Sequence, residues 1–135
     1  MKKLVYSALF LLSMAQVTTA QTYPEKPITL VIPYTAAGIT DASGRLVAKK
    51  LSERLGQPIV IDNRPGAGGA VGAEYAARAK PDGYTLFQGT RGTQVTNAMI
   101  QKDVKIPAAS DFASVYGFID AATVIVVRAD APYKT

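Results

Sequence analysis

The sequence predicts an α/β fold, a mostly parallel sheet with flanking helices, and three observations predict it. Two apolar runs, at residues 28–32 and 58–62, are each followed by a loop and then by a helix-forming segment. A third run, at 84–88, follows the turn signal Pro81-Asp82-Gly83. Strands that alternate with helices in this way join by right-handed crossovers into a parallel sheet.

Each element follows from its residues. Residues 23–27, Tyr-Pro-Glu-Lys-Pro, form an extended lead-in, because both prolines hold the chain out of helix. Residues 28–32 are too continuously apolar for a surface strand and read as one covered on both faces. Pro33 ends this strand, and a loop at 34–39 leads to a helix capped by Thr40 or Asp41. Val47, Leu51 and Leu55 repeat every four residues and mark its inward face, and Gly56 is its C′ stop. The second unit repeats the plan: a strand at 58–62, a glycine loop at 64–69, and a helix over 69–79 kept slim by Ala70, Ala73, Ala76 and Ala77. After the strand at 84–88 come a third loop at 89–93, a short helix at 95–100 and irregular chain at 102–111. Residues 114–119 and 123–128 are expected to form two further strands, paired about Asp120-Ala121-Ala122.

Residues 1–20 carry the marks of a secretory signal peptide. Lys2 and Lys3 precede an apolar run at 4–15, and Thr18-Thr19-Ala20 offers small residues for cleavage. The run is shorter than the roughly 20 residues that a membrane-spanning helix needs. Without Lys2 and Lys3 the net charge falls from +5 to +3, with 13 basic against 10 acidic side chains and no basic cluster. That balance speaks against nucleic acid as a partner. The chain has no Cys and no His, so an exported fold must stand without disulfides. The same absence removes thiol nucleophiles, Ser–His catalysis and most transition-metal sites, and neither a metal nor a cofactor is expected.

The most distinctive stretch runs from Asp62 to Gly72, Asp-Asn-Arg-Pro-Gly-Ala-Gly-Gly-Ala-Val-Gly. Its glycines admit positive φ and bare backbone N–H groups, and the helix behind it turns its positive end toward the loop. Such a loop suits a phosphate or a carboxylate, and it serves equally as a plain strand-to-helix connection. It is not a dinucleotide fingerprint, since Val71 takes the third glycine's place, and a P-loop's Gly-Lys-Ser/Thr is absent. Ligands of parallel sheets bind beyond the carboxyl ends of the strands, where all three loops fall. Asp41 and Arg45 are spaced for an (i, i+4) pair or for ligand contact. Thr90 and Thr93 offer hydroxyls to an anion or cap a turn. Tyr34 walls a ligand or covers the sheet edge, and Arg91 attracts an anion or is solvated. No nucleophile–base pair stands out, so an enzyme is not expected.

Several motifs occur in a fixed order behind the signal-like segment. They are Tyr23-Pro24-x-Lys26-Pro27-Ile28, then Pro33-Tyr34, then Gly38-x-Thr40-Asp41-x-x-x-Arg45 and Leu55-Gly56-Gln57-Pro58. Asn63-Arg64-Pro65-Gly66-Ala67-Gly68-Gly69 with Gly72, and Pro81-Asp82-Gly83-Tyr84-Thr85-Leu86, complete the set. Together they resemble the substrate-binding proteins of tripartite tricarboxylate transporters, the Bug receptors. The resemblance implies a type II periplasmic-binding-protein-like fold, in which two α/β lobes close on a small organic carboxylate. The ligand would be a di- or tricarboxylate or related anion, bound in the periplasm and delivered to a membrane permease of two subunits. By position, the ligand-facing residues it implies are Tyr34, Ala37, Gly38 and Thr40 in the first loop. Gly68 and Gly69 in the second loop, and Thr90 and Thr93 in the third, complete them.

The family's members are much longer, so residues 21–135 are expected to be most of a first lobe, with 128–135 approaching a missing second one. A truncated receptor is the leading expectation. The alternative is a lone lobe without ligand binding, kept as a partner-binding module or a vestigial fragment. Three residues depart from the family's pattern. Ala37 and Ile39 stand where the first loop usually has glycines, and Arg91 stands where the third loop usually has a small residue.

Overall fold

The computed structural model describes residues 22–101, 107–120, 124, 126–130 and 132. The signal peptide expected at 1–20 lies outside them. The centre is a three-stranded parallel sheet ordered β2-β1-β3. It consists of β1 (Ile28–Ile32), β2 (Ile59–Asn63) and β3 (Thr85–Phe87). Leu30 lies opposite both Ile61 and Leu86 in register, so all three strands end at one level. The expected α/β class, with parallel strands and flanking helices, is what the chain adopts.

The two crossovers run to opposite sides of β1, which places their helices on opposite faces of the sheet. The first, α1 (Ile39–Leu55), packs over the cluster of Leu30, Ile32 and Ala48, with Ile59, Ile61 and Leu86 around it. The second, α2 (Ala70–Ala77), buries Ala70, Gly72 and Ala73. With both faces covered, Val31 and Ile32 are fully buried although they point in opposite directions. The far end of the sheet is tied down by the lead-in. There the Tyr23 hydroxyl donates to Gly83 O at 2.7 Å, the Glu25 N–H donates to Tyr84 Oη at 3.0 Å, and Lys26 lies over the Tyr84 ring.

Four local expectations need correction. The first concerns the N-cap of α1, which is Gly38, two residues before Thr40 and three before Asp41, the caps expected. Asp41 sits inside the first turn and reaches back to accept the Ala37 N–H, so a carboxylate can serve the loop without occupying the cap. The second concerns the inward face of α1. It is Asp41, Gly44 and Ala48; Val47 and Leu51 are only partly buried, and Leu55 is exposed. Small residues win because the helix lies close to the sheet: a Cβ on Gly44 would stand 2.7 Å from Ile32 Cδ1.

Third, the loop expected at 89–93 is shortened by a helical segment. A π-helical turn, Gly92–Thr96, runs into α3 (Asn97–Ile100). Fourth, residues 114–119 do not form a strand. Their β-branched pattern is local, but a strand needs a neighbour to accept its hydrogen bonds, and none is paired with them among the described residues. Part of the other expected strand, at 123 and 125, lies outside the described residues, and its described members carry no strand. Of the irregular chain expected at 102–111, residues 102–106 lie outside the description, while Ala109–Asp111 forms a single 3-10 turn. Just beyond that turn, Phe112 stacks on Phe87 of β3 at 5.2 Å.

Candidate functional site

The common level of the strand ends brings Pro33-Tyr34, Asn63-Arg64 and Gln88-Gly89-Thr90 to one edge. The first loop leaves β1 at Pro33 and turns through Ala37, whose φ of 67° is unusual for a residue with a side chain. Ala37 and Gly38 are exposed and Thr40 is partly so. Gly38 O accepts the Ala42 N–H as the first helical bond of α1. The amides of Ile39, Thr40 and Asp41 therefore belong to the first turn, where N–H groups lack helical partners and the helix dipole is positive.

Asp41 anchors this loop. Its side chain is only 4% exposed, and three donors meet it. Oδ2 accepts Arg45 Nε–H at 2.8 Å and the Ala37 N–H at 2.9 Å, while Oδ1 accepts Asn63 Nδ2–H at 3.0 Å. Arg45, then the Ala37 amide, then Asn63 hold the Asp41 carboxyl well below the usual carboxylate range. The pairing raises the Arg45 guanidinium in turn. Asn63 also donates to Tyr34 O at 3.1 Å, which ties the first loop to the end of β2.

The second loop is the glycine stretch. Gly66, Ala67, Gly68 and Gly69 all take positive φ, forming a short 3-10 turn ahead of α2. Arg64 is pinned by Asp62 at 2.7 Å and lies over the Tyr75 ring, and the carboxylate raises its guanidinium. Gly68 is exposed, and its carbonyl accepts Asn97 Nδ2–H at 2.7 Å. Gly69 is buried, because Thr93 and Pro33 press against it.

In the third loop, Thr90 and Thr93 cap each other. The Thr90 N–H donates to Thr93 Oγ1 at 2.9 Å, and the Thr93 N–H donates to Thr90 Oγ1 at 3.2 Å. The Thr93 hydroxyl donates to Thr90 O at 3.1 Å and is fully buried. Thr90 is partly exposed, and its hydroxyl lies 3.0 Å from Tyr34 Oη, which joins the first and third loops. The structure thus brings Tyr34 and Thr90 into contact and sets Thr93 and Gly69 beneath them.

Sequence reasoning missed three side-chain amides that hold the loops in register, Gln88 and Asn97 buried and Asn63 partly so. In the sequence Asn63 reads only as part of a motif, Gln88 only as the end of a strand, and Asn97 only as a member of a short helix. Gln88 Nε2 donates to Thr40 O at 3.0 Å and to Ser43 Oγ at 3.1 Å, which fixes the start of α1 to β3. The available signal was position: Asn63 and Gln88 stand at the carboxyl ends of strands, where a polar side chain faces a loop rather than the core. A groove of about 530 Å³ between α1 and β2 lies elsewhere, lined by Arg45, Ala48, Lys49, Pro58, Ile59 and Ile61. Ser52 and Glu53 also line it, so charged and hydroxyl side chains of α1 face an aliphatic wall of Pro58, Ile59 and Ile61, away from the loop edge.

These features define a parallel α/β unit whose three loops meet at one sheet edge. The family model for the tripartite tricarboxylate transporter family receptor matches residues 44–135, and the chain belongs to that family. It is similar to protein BugT of Bordetella pertussis, at 45% identity over 69 residues, 51% of this chain and 21% of that protein. A solved periplasmic transporter shares 49% identity at a TM-score of 0.56, over 60% of this chain and 27% of that one. The R. palustris protein Rpa4515, solved with adipate, shares 48% identity at a TM-score of 0.52, over 53% of this chain and 24% of that one. The chain spans 21% to 39% of the length of the curated relatives it matches. The family is one of transport receptors and not a class of enzymes.

Proposed function

We propose that this chain binds the carboxylate of a small organic di- or tricarboxylate at the loop edge, as a periplasmic receptor that delivers it to a two-subunit membrane permease. The observation that carries this reading is the convergence of three loops at one sheet edge, with Tyr34 Oη 3.0 Å from Thr90 Oγ1. The adipate of the R. palustris neighbour supports the ligand class, and the signal-like residues 1–20 support export. Ala37, Gly38 and Thr40 offer the positive start of α1. Gly68 lets backbone approach the ligand, and Gly69 lets the third loop close on the second. Either hydroxyl of the Tyr34–Thr90 pair can donate to the other, and the one that accepts has its hydrogen to offer to an oxyanion; Thr93 caps Thr90. The work is capture without covalent chemistry: amides and hydroxyls replace the water that solvates the carboxylate.

The test is a thermal melt of the purified chain with succinate, malate, adipate and citrate at millimolar concentration. A ligand at about 100 times its Kd adds roughly 2.7 kcal/mol, a readable shift in Tm. A melt unmoved by every acid overturns the reading.

One observation favours a second reading, a lobe that binds a partner rather than a solute. Val115, Tyr116, Val124 and Val126 are 73% to 82% exposed, an apolar stretch of the kind that marks interaction surfaces. Concentration-dependent association without any response to the acids is the result expected of it.

A further inference from the structure

Asp41 presents a difficulty for any anion at this edge. A carboxylate in the first turn of α1 faces the same amides and the same dipole that an incoming carboxylate would use. The side chain is nearly buried, so water screens it poorly. An uncompensated charge there would repel the ligand.

We infer that Arg45 is a positioning residue of the anion site: by cancelling the charge of Asp41 it leaves that carboxylate free to hold the first loop without repelling a ligand. The inference rests on the reading above that the loop edge takes a carboxylate. Arg45 Nε–H donates to Asp41 Oδ2 at 2.8 Å, and Arg45 Nη2–H donates to Asn63 Oδ1 at 3.4 Å. Asn63 returns a bond to Asp41 Oδ1 at 3.0 Å, closing a ring of three side chains. The other groups against Asp41 carry no charge: the Ala37 amide from the loop and Asn63 from β2. Asp62 and Arg64, which flank Asn63, are paired with each other at 2.7 Å. Gln88, from β3, is also neutral and bonds to Thr40 and Ser43 in the same turn. Arg45 is thus the cation bonded to Asp41 among the described residues. It lies one helical turn below the loop, on the groove side of α1, and acts on the ligand through Asp41 rather than by touching it.

The experiment measures Kd for succinate, malate, adipate and citrate by calorimetry on the full chain, with circular dichroism to confirm folding. Arg45→Lys keeps the charge and is expected to bind within about threefold of wild type. Arg45→Met keeps the aliphatic stem and loses the charge, and is expected to bind about tenfold more weakly or worse, as an uncompensated like charge in the first turn would dictate. Adding Asp41→Asn to Arg45→Met removes the repulsion and restores most of the affinity. An Arg45→Met variant that binds like wild type overturns the inference. So does a double variant as weak as the single one, because Arg45 would then act by packing or by direct contact. If Arg45→Met does not fold, the double variant decides: near wild-type affinity supports the inference and lost affinity overturns it. A wild-type chain that binds none of the acids overturns the carboxylate reading itself, an outcome distinct from the others, and the inference falls with it.

Discussion

Thr93 Cγ2 sits 2.5 Å from the point where a Cβ on Gly69 would stand. The third loop therefore rests on bare backbone of the second, and the contact exists only because position 69 has no side chain. Gly69 also adopts φ 96°, a conformation that L-residues rarely take. Gly69→Ala is expected to destabilise the chain by about 1–3 kcal/mol through overpacking, with backbone strain added. Thr93→Ser removes the offending methyl and keeps the hydroxyl bonds to Thr90. In the Gly69→Ala background it should therefore recover part of the loss, although Pro33 Cβ still stands 3.2 Å away. Urea denaturation of the two single variants and the double one measures the coupling. Additive effects would mean that Thr93 is not what Gly69 accommodates.

The legible part of this fold was the part set by short-range chemistry. The apolar run at 28–32 could only be a strand covered twice, and Gly56 ends α1 at φ 68° with its N–H on Ser52 O. The order of strands and loops then put the loop edge in view. What the sequence hid depends on distance in space. Gly38 caps α1 because Asp41 reaches back to Ala37, a bond that composition does not announce. Gly44 and Ala48, rather than Val47 and Leu55, face the sheet because the helix sits close to it. Asn63, Gln88 and Asn97 each bond to a group between 22 and 48 residues away. A polar residue with a partner that remote looks like any surface residue. The segment 114–119 shows the reverse error, a local β pattern without a partner strand.

The Tyr34–Thr90 hydroxyl pair, at the edge proposed to bind the carboxylate, separates binding from capping. Tyr34→Phe removes the bond to Thr90 and leaves the Thr90–Thr93 cap intact. The expected result is a loss of carboxylate affinity of about 2- to 12-fold, one hydrogen bond's worth, with little change in Tm. Thr90→Val removes both roles, so affinity falls and stability drops by about 0.5–2 kcal/mol. Gly68→Val should also lose affinity, because its Cβ would stand 3.1 Å from Asn97 and Gln101 side-chain atoms and φ is 64°. Calorimetric titration alongside thermal melts reads both quantities. Retained affinity in Thr90→Val and Gly68→Val together would remove these residues from the site.

Asp41 should leave a signature in the acid limb of the stability profile. Its folded-state pKa is depressed, so the folded chain binds a proton less readily than the unfolded chain does. The stabilisation is therefore complete above the unfolded value of about 3.9, and it is lost progressively as pH falls from there toward the folded value. Denaturation midpoints measured from pH 7 down to pH 2 should show wild type losing stability below about pH 4 faster than Asp41→Asn does. Equal acid limbs in the two proteins would mean that the Arg45, Ala37 and Asn63 bonds do not stabilise the ionised carboxyl.

Gly72 sets two principles against each other, and magnitude decides between them. It lies inside α2, where alanine is the better helix former by about 0.8–1.0 kcal/mol. By propensity alone, Gly72→Ala would stabilise the chain. A Cβ there would stand 2.9 Å from Arg64 O and 2.9 Å from Pro33 Cα. Both are backbone atoms, so no side-chain rotation relieves the clash. Relief requires α2 to lift from the ends of β1 and β2, which carry the first and second loops. Overpacking of this kind costs about 1–3 kcal/mol, enough to reverse the propensity gain. The net effect expected is destabilisation, together with weaker carboxylate binding because Gly68 and Gly69 move with the helix. Gly44→Ala makes a useful contrast, since the atoms it would meet, Gln88 Oε1 at 2.3 Å and Ile32 Cδ1 at 2.7 Å, are side-chain ends that can turn aside. It should cost less than Gly72→Ala in the same urea titration. The opposite ranking would place the tight helix–sheet contact at α1 rather than α2.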